Sequence, residues 1–133
     1  MGQPAAKKGD RVVAVDTHVV MVPGPSGSVP TPLPHPFAGM IQGALSSDVK
    51  VEGQPAATVD STADNTPPHV PTPPGTSFQS PPSNKATIAA GSSTVKINGK
   101  AAARSGDPAT TCNDPADLQA GSVVVAGGTV MVG

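Results

Sequence analysis

A short motif occurs three times along the chain, and this repetition restricts the possible folds more than any other feature. The copies are Gly2-Gln3-Pro4-Ala5-Ala6, Gly53-Gln54-Pro55-Ala56-Ala57 and Gly99-Lys100-Ala101-Ala102-Ala103. They begin 53 − 2 = 51 and 99 − 53 = 46 positions apart, so the period is nearly even. Internal repeats at such periods are typical of architectures built from similar units. The sequence therefore predicts a body made of three related units.

Short stretches of alternating apolar and polar residues precede the second and third copies of the motif. Residues 46–52 and 92–98 alternate in this way and then meet a glycine, a pattern that predicts a short half-buried strand running into a turn. No such stretch precedes the first copy, but residues 128–133 have the matching pattern. We therefore predict that this last segment completes the first unit. The prediction is a single domain over residues 1–133, with approximate threefold symmetry and neighbouring termini.

The remaining segments favour β-structure. Residues 11–22 form a valine-rich run without glycine or proline, which predicts a strand. Residues 29–37 contain four prolines, which exclude a helix and favour an extended, polyproline-II-like backbone. Only the composition of residues 38–45 would allow a helical turn. The predicted class is all-β, a small body of short strands and Pro/Gly-rich loops.

The composition sets further limits on the class of protein. Aromatic residues make up 2% of the 133 residues, so the usual large core side chains are nearly absent, and the formal charge of −1 offers no field for nucleic acid. No apolar run is long enough to span a bilayer. The start of the chain has no recognisable secretory signal, so we expect synthesis in the cytoplasm and export by some other carrier.

Four side chains carry the metal-binding chemistry of this sequence. They are the three histidines His18, His35 and His69 and the single cysteine Cys112. His18 and His69 each lie 16 positions after their repeat glycine, and Cys112 lies 13 positions after the third. Equivalent positions gather around a threefold axis, so two imidazoles and a thiolate are expected to converge, with His35 available as a fourth donor. This is a tetrahedral donor set that Zn²⁺ prefers, and we predict one structural zinc ion.

The three motifs, with the residue that follows each, resemble the repeat that gives the PAAR proteins their name. The variants are Pro4-Ala5-Ala6-Lys7, Pro55-Ala56-Ala57-Thr58 and Ala101-Ala102-Ala103-Arg104. None has the full Pro-Ala-Ala-Arg sequence, and the Gly-Asp pair that follows the first and third copies is missing from the second. The resemblance covers essentially the whole chain. It implies a cone with a zinc ion near the apex, bound by histidine and cysteine.

The resemblance also implies a function and a partner. PAAR proteins cap the trimeric β-helical, VgrG-like spike of contractile injection systems, such as type VI secretion machines and phage-tail-like particles. The implied role is a non-enzymatic tip, one per spike trimer, which helps to puncture the target membrane and is delivered by contraction. Many members carry effector domains, for which these 133 residues leave no room, and attachment of separate effector cargo stays open. The candidate spike-binding residues are those of the repeat strands, Val49, Val51, Val95, Ile97, Val130 and Val132.

Two other classes of function stay open at this point. A small zinc-dependent metalloenzyme would need an open coordination position and a general base, for which Asp16 or Asp114 is available. A metal shell filled by four protein ligands would argue against that reading. A proline-rich structural adaptor is the other alternative, since 17 prolines and 15 glycines are typical of flexible linkers.

Overall fold

The protein is built from strands and loops. The computed structural model describes residues 2–133, and within that range no residue lies in an α-helix, so that none of the described chain forms a helix long and apolar enough to cross a membrane. The all-β prediction is confirmed. The thirteen strands are β1 Gln3–Pro4, β2 Arg11–Val22, β3 Val29–Gly43, β4 Lys50–Val51, β5 Gln54–Pro55, β6 Thr62–Asn65, β7 Ser77–Phe78, β8 Lys85–Ile88, β9 Lys96–Ile97, β10 Lys100–Ala101, β11 Pro108–Thr111, β12 Leu118–Val124 and β13 Met131–Val132.

Six of these strands close into a barrel. The order is β2-β3-β6-β8-β11-β12, and β12 pairs with β2 to complete the circle. All neighbours are antiparallel, and each repeat unit supplies two strands that are consecutive around the barrel. β7 is attached to the outside edge of β2 through Phe78, which lies opposite Val20. Closure removes the free edges that an open sheet of this size would expose.

Small side chains fill the barrel. Alternate residues of a strand point to opposite faces, and the inward positions are occupied mainly by alanine, valine and isoleucine. The buried core residues are Ala6, Val12, Phe37, Ile41, Ala57, Ala63, Ala86, Ile88, Ala103, Ala109, Cys112, Val123 and Val125. Phe37 is the only aromatic residue among them. A core of this kind is narrow, which explains how the chain folds with almost no aromatic residues.

The three motifs meet at one end of the barrel in a ring of backbone hydrogen bonds. The amide of Ala6 donates to the carbonyl of Ala103 (2.9 Å), that of Ala103 to Ala57 (3.1 Å), and that of Ala57 to Ala6 (3.0 Å). Each of these alanines is only 1% exposed. A second cycle surrounds the first. Its members Ala5, Ala56 and Ala102 each form a β-bridge to the residue that directly follows the motif of a neighbouring unit. The approximate threefold symmetry is therefore built into the main chain.

A tight turn follows each motif and explains the Gly-Asp pairs. The Asp10 carboxylate accepts the amide of Lys7 at 2.9 Å, and Asp107 accepts the amide of Arg104 at 2.6 Å. The preceding glycines have φ of 95° and 92°, which L side chains rarely adopt. In the second unit Asp60 takes the same backbone conformation with φ of 79°, and Ser61 Oγ accepts the amide of Thr58 at 3.0 Å. The turn survives the substitution because a serine hydroxyl also accepts the bond.

Three two-stranded, hairpin-like units lie beyond the alanine ring, two closed by a turn and the third formed by the two ends of the described chain. β4 pairs with β5, β9 with β10, and β13 with β1, so that the two ends of the described chain lie side by side. Glu52-Gly53 and Asn98-Gly99 have positive φ at both turn positions, which is the type I′ geometry that matches strand twist. One residue of each hairpin packs with the alanines of the outer cycle, and these six form a second cluster: Ala5, Val51, Ala56, Ile97, Ala102 and Val132.

At the opposite end, β2 and β3 continue past the barrel as a two-stranded ribbon. Their pairing runs without interruption from Arg11↔Met40 to Val22↔Val29. The helical turn allowed for residues 38–45 is wrong, because β3 extends to Gly43, and residues 29–37 form a paired strand rather than an isolated polyproline segment. The four prolines occupy every second position of β3, in the same alternation as Ala38. The amide of Ala38 points away from β2 and donates to Asn65. Proline is therefore tolerated, since its missing N–H falls on the side of β3 that β2 does not use.

The alanine ring gives the first testable prediction. Replacing Ala57 by leucine adds three carbons at a site that is 1% exposed, and overpacking of this kind destabilises by about 1–3 kcal/mol. We expect a lower midpoint in chemical denaturation for this variant, or a failure to fold. The control is Ala120→Leu on the exposed part of β12, which should leave the midpoint within error. Equal midpoints for both variants would contradict the role given to the ring.

Candidate metal centre

The segments that extend beyond the barrel meet at its far end. His18 lies on β2 within the ribbon, His69 lies in the loop between β6 and β7, and Cys112 follows directly after β11. The loop after β11 is fixed against the ribbon, because Asn113 Oδ1 accepts the amide of Thr17 at 2.7 Å and Asp114 Oδ2 accepts that of Val19 at 2.8 Å. Three chain segments, one from each repeat unit, are thus brought to one point.

Four potential metal ligands lie together at this point. Asp16, His18, His69 and Cys112 each offer one donor atom, and these atoms all lie within 4.8 Å of one another. Asp16 and His18 are on the same face of β2, two residues apart, and both are at most 1% exposed. Cys112 is 3% exposed. A buried set with two imidazoles, a thiol and a carboxylate has the donor chemistry of a transition-metal site.

His18 supplies the strongest test of whether a metal fits. Both of its ring nitrogens are buried, and neither has a hydrogen-bond partner. The nearest carboxylate oxygen, on Asp114, is 3.5 Å from Nδ1 and does not form a hydrogen bond. Buried polar groups without a partner are rare and destabilising. A metal ion bound to His18 would give one of these nitrogens a partner, so the residues fit the group.

Asp16 is the centre of the contacts among the four donors. Its Oδ2 lies 2.9 Å from His69 Nε2 and 3.5 Å from Cys112 Sγ, and its Oδ1 accepts the Thr111 hydroxyl at 2.6 Å. Burial raises the pKa of the Cys112 thiol, and the negative charge of Asp16 raises it further. Without a metal the thiol is therefore held protonated. A bound cation would reverse this preference, because only the thiolate is a ligand.

His35 lies next to this set but is not part of it. Its ring centroid is 5.5 Å from that of His18 and 5.6 Å from that of His69. Nδ1 is 2.8 Å from the carbonyl oxygen of Leu33, and Nε2 accepts the amide of Thr72 at 3.1 Å. Burial lowers the pKa of His35, which favours the neutral ring that these two contacts require. A role of His35 as a ligand stays a prediction.

The two phenylalanines of the chain flank the site. Phe78 lies 5.8 Å from the ring of His18 and 5.4 Å from that of His35, and Phe37 lies 6.0 Å from His69, measured between ring centroids. The scarce aromatic residues are thus concentrated around the donor cluster. They exclude water from it and lower the local polarity, which strengthens metal–ligand electrostatics.

The predicted spike-binding residues lie at the hairpin end of the barrel, opposite the end that holds the donor cluster. Val51, Ile97 and Val132 are at most 9% exposed and pack inside the second cluster, with Val95 partly buried against it. Val49 and Val130 are 37% and 41% exposed. Of the six, the structure therefore leaves mainly these two accessible to a partner, and the binding role of all six stays a prediction.

Asp16 is the one member of the donor cluster that the predicted ligand set leaves out. Its signal in the sequence is a single acidic residue within the valine-rich run 11–22, two positions before His18. On a strand that spacing places both side chains on the same face. A carboxylate among inward-facing apolar residues requires a polar or charged partner. A neighbouring histidine on the same face suggests that a metal ion could be that partner.

The fold and the site together define a small antiparallel β-barrel with approximate threefold main-chain symmetry at one end and a buried cluster of potential metal ligands at the other. Comparison with known families agrees with that description. Residues 32–115 and residues 78–133 each match the PAAR motif family. The two matches together span residues 32–133, well over half of the chain, and the protein therefore belongs to the PAAR family of spike-tip proteins, a structural family. No curated protein matches the chain.

The metal centre gives the second testable prediction. We expect purified protein to contain about one transition-metal ion per chain by elemental analysis. Cys112→Ser should lower both the metal content and the melting temperature, because the substitution removes the anionic thiolate ligand. The control is Lys85→Ala, which removes only an exposed ion pair to Asp64 and should change neither quantity. Protein that melts at the same temperature with and without chelator would contradict the assignment.

Proposed function

We propose that this protein is the tip that caps the trimeric, VgrG-like central spike of a contractile injection system. The observation that carries the proposal is the threefold main-chain symmetry within one polypeptide. The ring through Ala6, Ala57 and Ala103 relates three similar hairpins by one axis. A single chain with this symmetry can sit on the axis of a true trimer and present one similar face to each subunit.

The hairpin end suits that contact. Each hairpin is only two strands wide, so its outer edge is open to strand addition from a β-rich partner. Val49 and Val130 occupy equivalent positions in two hairpins and are exposed, which gives apolar contact area at the rim. The buried Val51, Ile97 and Val132 contribute differently, by holding the three hairpins together from within.

We assign zinc to the metal centre. Thiolate and imidazole donors are those that zinc uses in structural sites, and four protein ligands complete its tetrahedral shell. A complete shell leaves no position for a reactive water, so the site supports a structural role rather than catalysis. Cys112 would bind as the thiolate, and the two histidines as neutral imidazoles. The closed barrel and its buried core also speak against a flexible proline-rich adaptor.

The metal-binding end suits passage through a membrane. No Asp, Glu, Lys or Arg occurs in residues 17–47 or 65–84, which form the ribbon, β3 and the long loop that carries His69. Moving charged side chains into a bilayer is expensive, and these segments contain none of these four residues. Prolines in the same segments reduce the freedom of the unfolded chain and stiffen the folded one. We infer that the tip is carried on the particle, with any effector cargo, and delivered by contraction.

Capping gives the third testable prediction. The complex with the cognate spike should contain one tip chain and three spike chains by mass photometry. Val49→Asp and Val130→Asp should weaken capping at least tenfold, because each places a charge at the apolar rim. The matched control is Val15→Asp, at a valine that is 65% exposed on the ribbon, which should bind as the unchanged protein does. Three tips per trimer, or equal binding by all variants, would contradict the proposal.

A further inference from the structure

We propose that a pocket between β3 and the long loop that carries His69 binds the indole ring of a tryptophan from a partner polypeptide. The pocket has a volume of about 350 Å³ and is lined by His35, Pro36 and Ala38 of β3 and by residues 65–73. A volume at the low end of the range for ligand sites suits a single large side chain. The pocket lies at the metal-binding end of the barrel, opposite the hairpins, so the inference does not depend on the proposed capping of a spike.

Pro36 leaves one backbone carbonyl without a donor on the β3 side of the pocket. On the edge of β3 that faces away from β2, the carbonyl of Ala38 accepts the amide of Thr66 at 3.2 Å. The carbonyl of Pro34 on the same edge accepts the hydroxyl of Thr72 at 2.8 Å. Pro36 lies between them in the same alternation, and no group in the described chain donates to its carbonyl oxygen. Because proline also has no N–H, this part of the edge selects a ligand that donates a hydrogen bond.

The loop side of the pocket is held in place on its own. Thr66 and Thr72 attach the two ends of the lining segment to β3 through the bonds just described. Between them the amide of His69 donates to Asn84 Oδ1 at 2.7 Å. The prolines of this segment restrict its backbone further. A site that is already ordered binds its ligand without the entropic cost of closing around it.

The walls of the pocket are apolar and uncharged. None of the described Asp, Glu, Lys or Arg residues lines it, so a charged ligand would lose its hydration without gaining a counter-charge. Proline rings and aromatic rings pack together where proline-rich segments are recognised by aromatic grooves. Five prolines line this pocket and offer such surfaces to an aromatic ring: Pro36, Pro67, Pro68, Pro71 and Pro73.

Tryptophan is the aromatic side chain that matches these surroundings. Phenylalanine has no donor for the carbonyl of Pro36, and the hydroxyl of tyrosine brings an acceptor as well as a donor, whereas the indole N–H is a donor only. The 133 residues contain no tryptophan, so the ring comes from another molecule. Thr66, Pro67, Pro68, Val70 and Pro73 are exposed around the pocket. Residues that flank the tryptophan in a polypeptide would cover this rim, which free indole would leave in water.

Fluorescence titration tests the proposal on the metal-loaded protein, because the ligand supplies the only indole emission in the sample. A blocked glycine-tryptophan-glycine tripeptide should show a saturable blue shift as its ring leaves water. An analogue methylated at the indole nitrogen should bind about fivefold more weakly, as expected for the loss of one neutral hydrogen bond. Free indole should bind roughly threefold more weakly than the tripeptide, because it lacks the contacts with the rim.

Three results of the titration would overturn the proposal. Emission that does not saturate at the solubility limit of the tripeptide would show that the pocket does not bind the ring. Equal affinity for the methylated analogue would remove the role of the Pro36 carbonyl. Binding of free indole without binding of the tripeptide would make the pocket a site for a small molecule rather than for a polypeptide.

A pair of valine variants locates the binding site. Val70 lines the pocket and is 73% exposed, so Val70→Ser should leave the fold and the metal content unchanged and weaken tripeptide binding roughly fivefold through lost apolar contacts. The matched control is Val29→Ser, at a valine of β3 that is 56% exposed and lies outside the pocket, which should bind as the unchanged protein does. Both variants should still form the one-to-three complex with the spike. Equal affinities for the two variants would overturn the proposed site.

Discussion

The rest of the structure depends on the cycle of hydrogen bonds between Ala6, Ala57 and Ala103. The three methyl groups are almost fully buried where the main chains meet, so a larger side chain would be crowded there, which explains why alanine recurs in each motif. The cycle fixes the three units around one axis, and each unit then sends two strands into the barrel. The connections between units carry the hairpins at the ring end, whereas the connection between the two barrel strands within each unit lies at the other end.

Those connections are held to the ribbon by a small number of hydrogen bonds, among them those of Asn113, Asp114 and Thr72, and by the donor cluster. The ribbon is a paired hairpin, but the loops that carry His69 and Cys112 make few ladder hydrogen bonds. A narrow body has little interior to bury, and Phe37 and Phe78 supply the phenyl rings that pack near the cluster. A metal that joins one segment from each unit would compensate for the small core at this end, since its binding free energy would contribute to folding. The two ends are thus stabilised by different interactions.

The sequence predicts much of this arrangement because a threefold sequence repeat directly indicates three structurally similar units. The shared offset of His18 and His69 predicts that they converge, whereas Cys112 lies three positions earlier in its unit, directly after β11. The roles of Asp16 and His35 depend on which strand face and which loop amides surround them, which spacing does not encode. The pairing of the proline-rich residues 29–37 was missed for a similar reason, since it depends on which edge of β3 its prolines face.

Amide hydrogen exchange followed by NMR, with and without bound metal, tests the division into two separately stabilised ends most directly. The amides of Ala6, Ala57 and Ala103 should keep their protection after chelation, because their ring does not involve the metal. The amides of Thr72 and Asp114, which lie on the two metal-bound loops, should exchange at least tenfold faster. Equal acceleration at both ends, or no change at Thr72 and Asp114, would contradict the account.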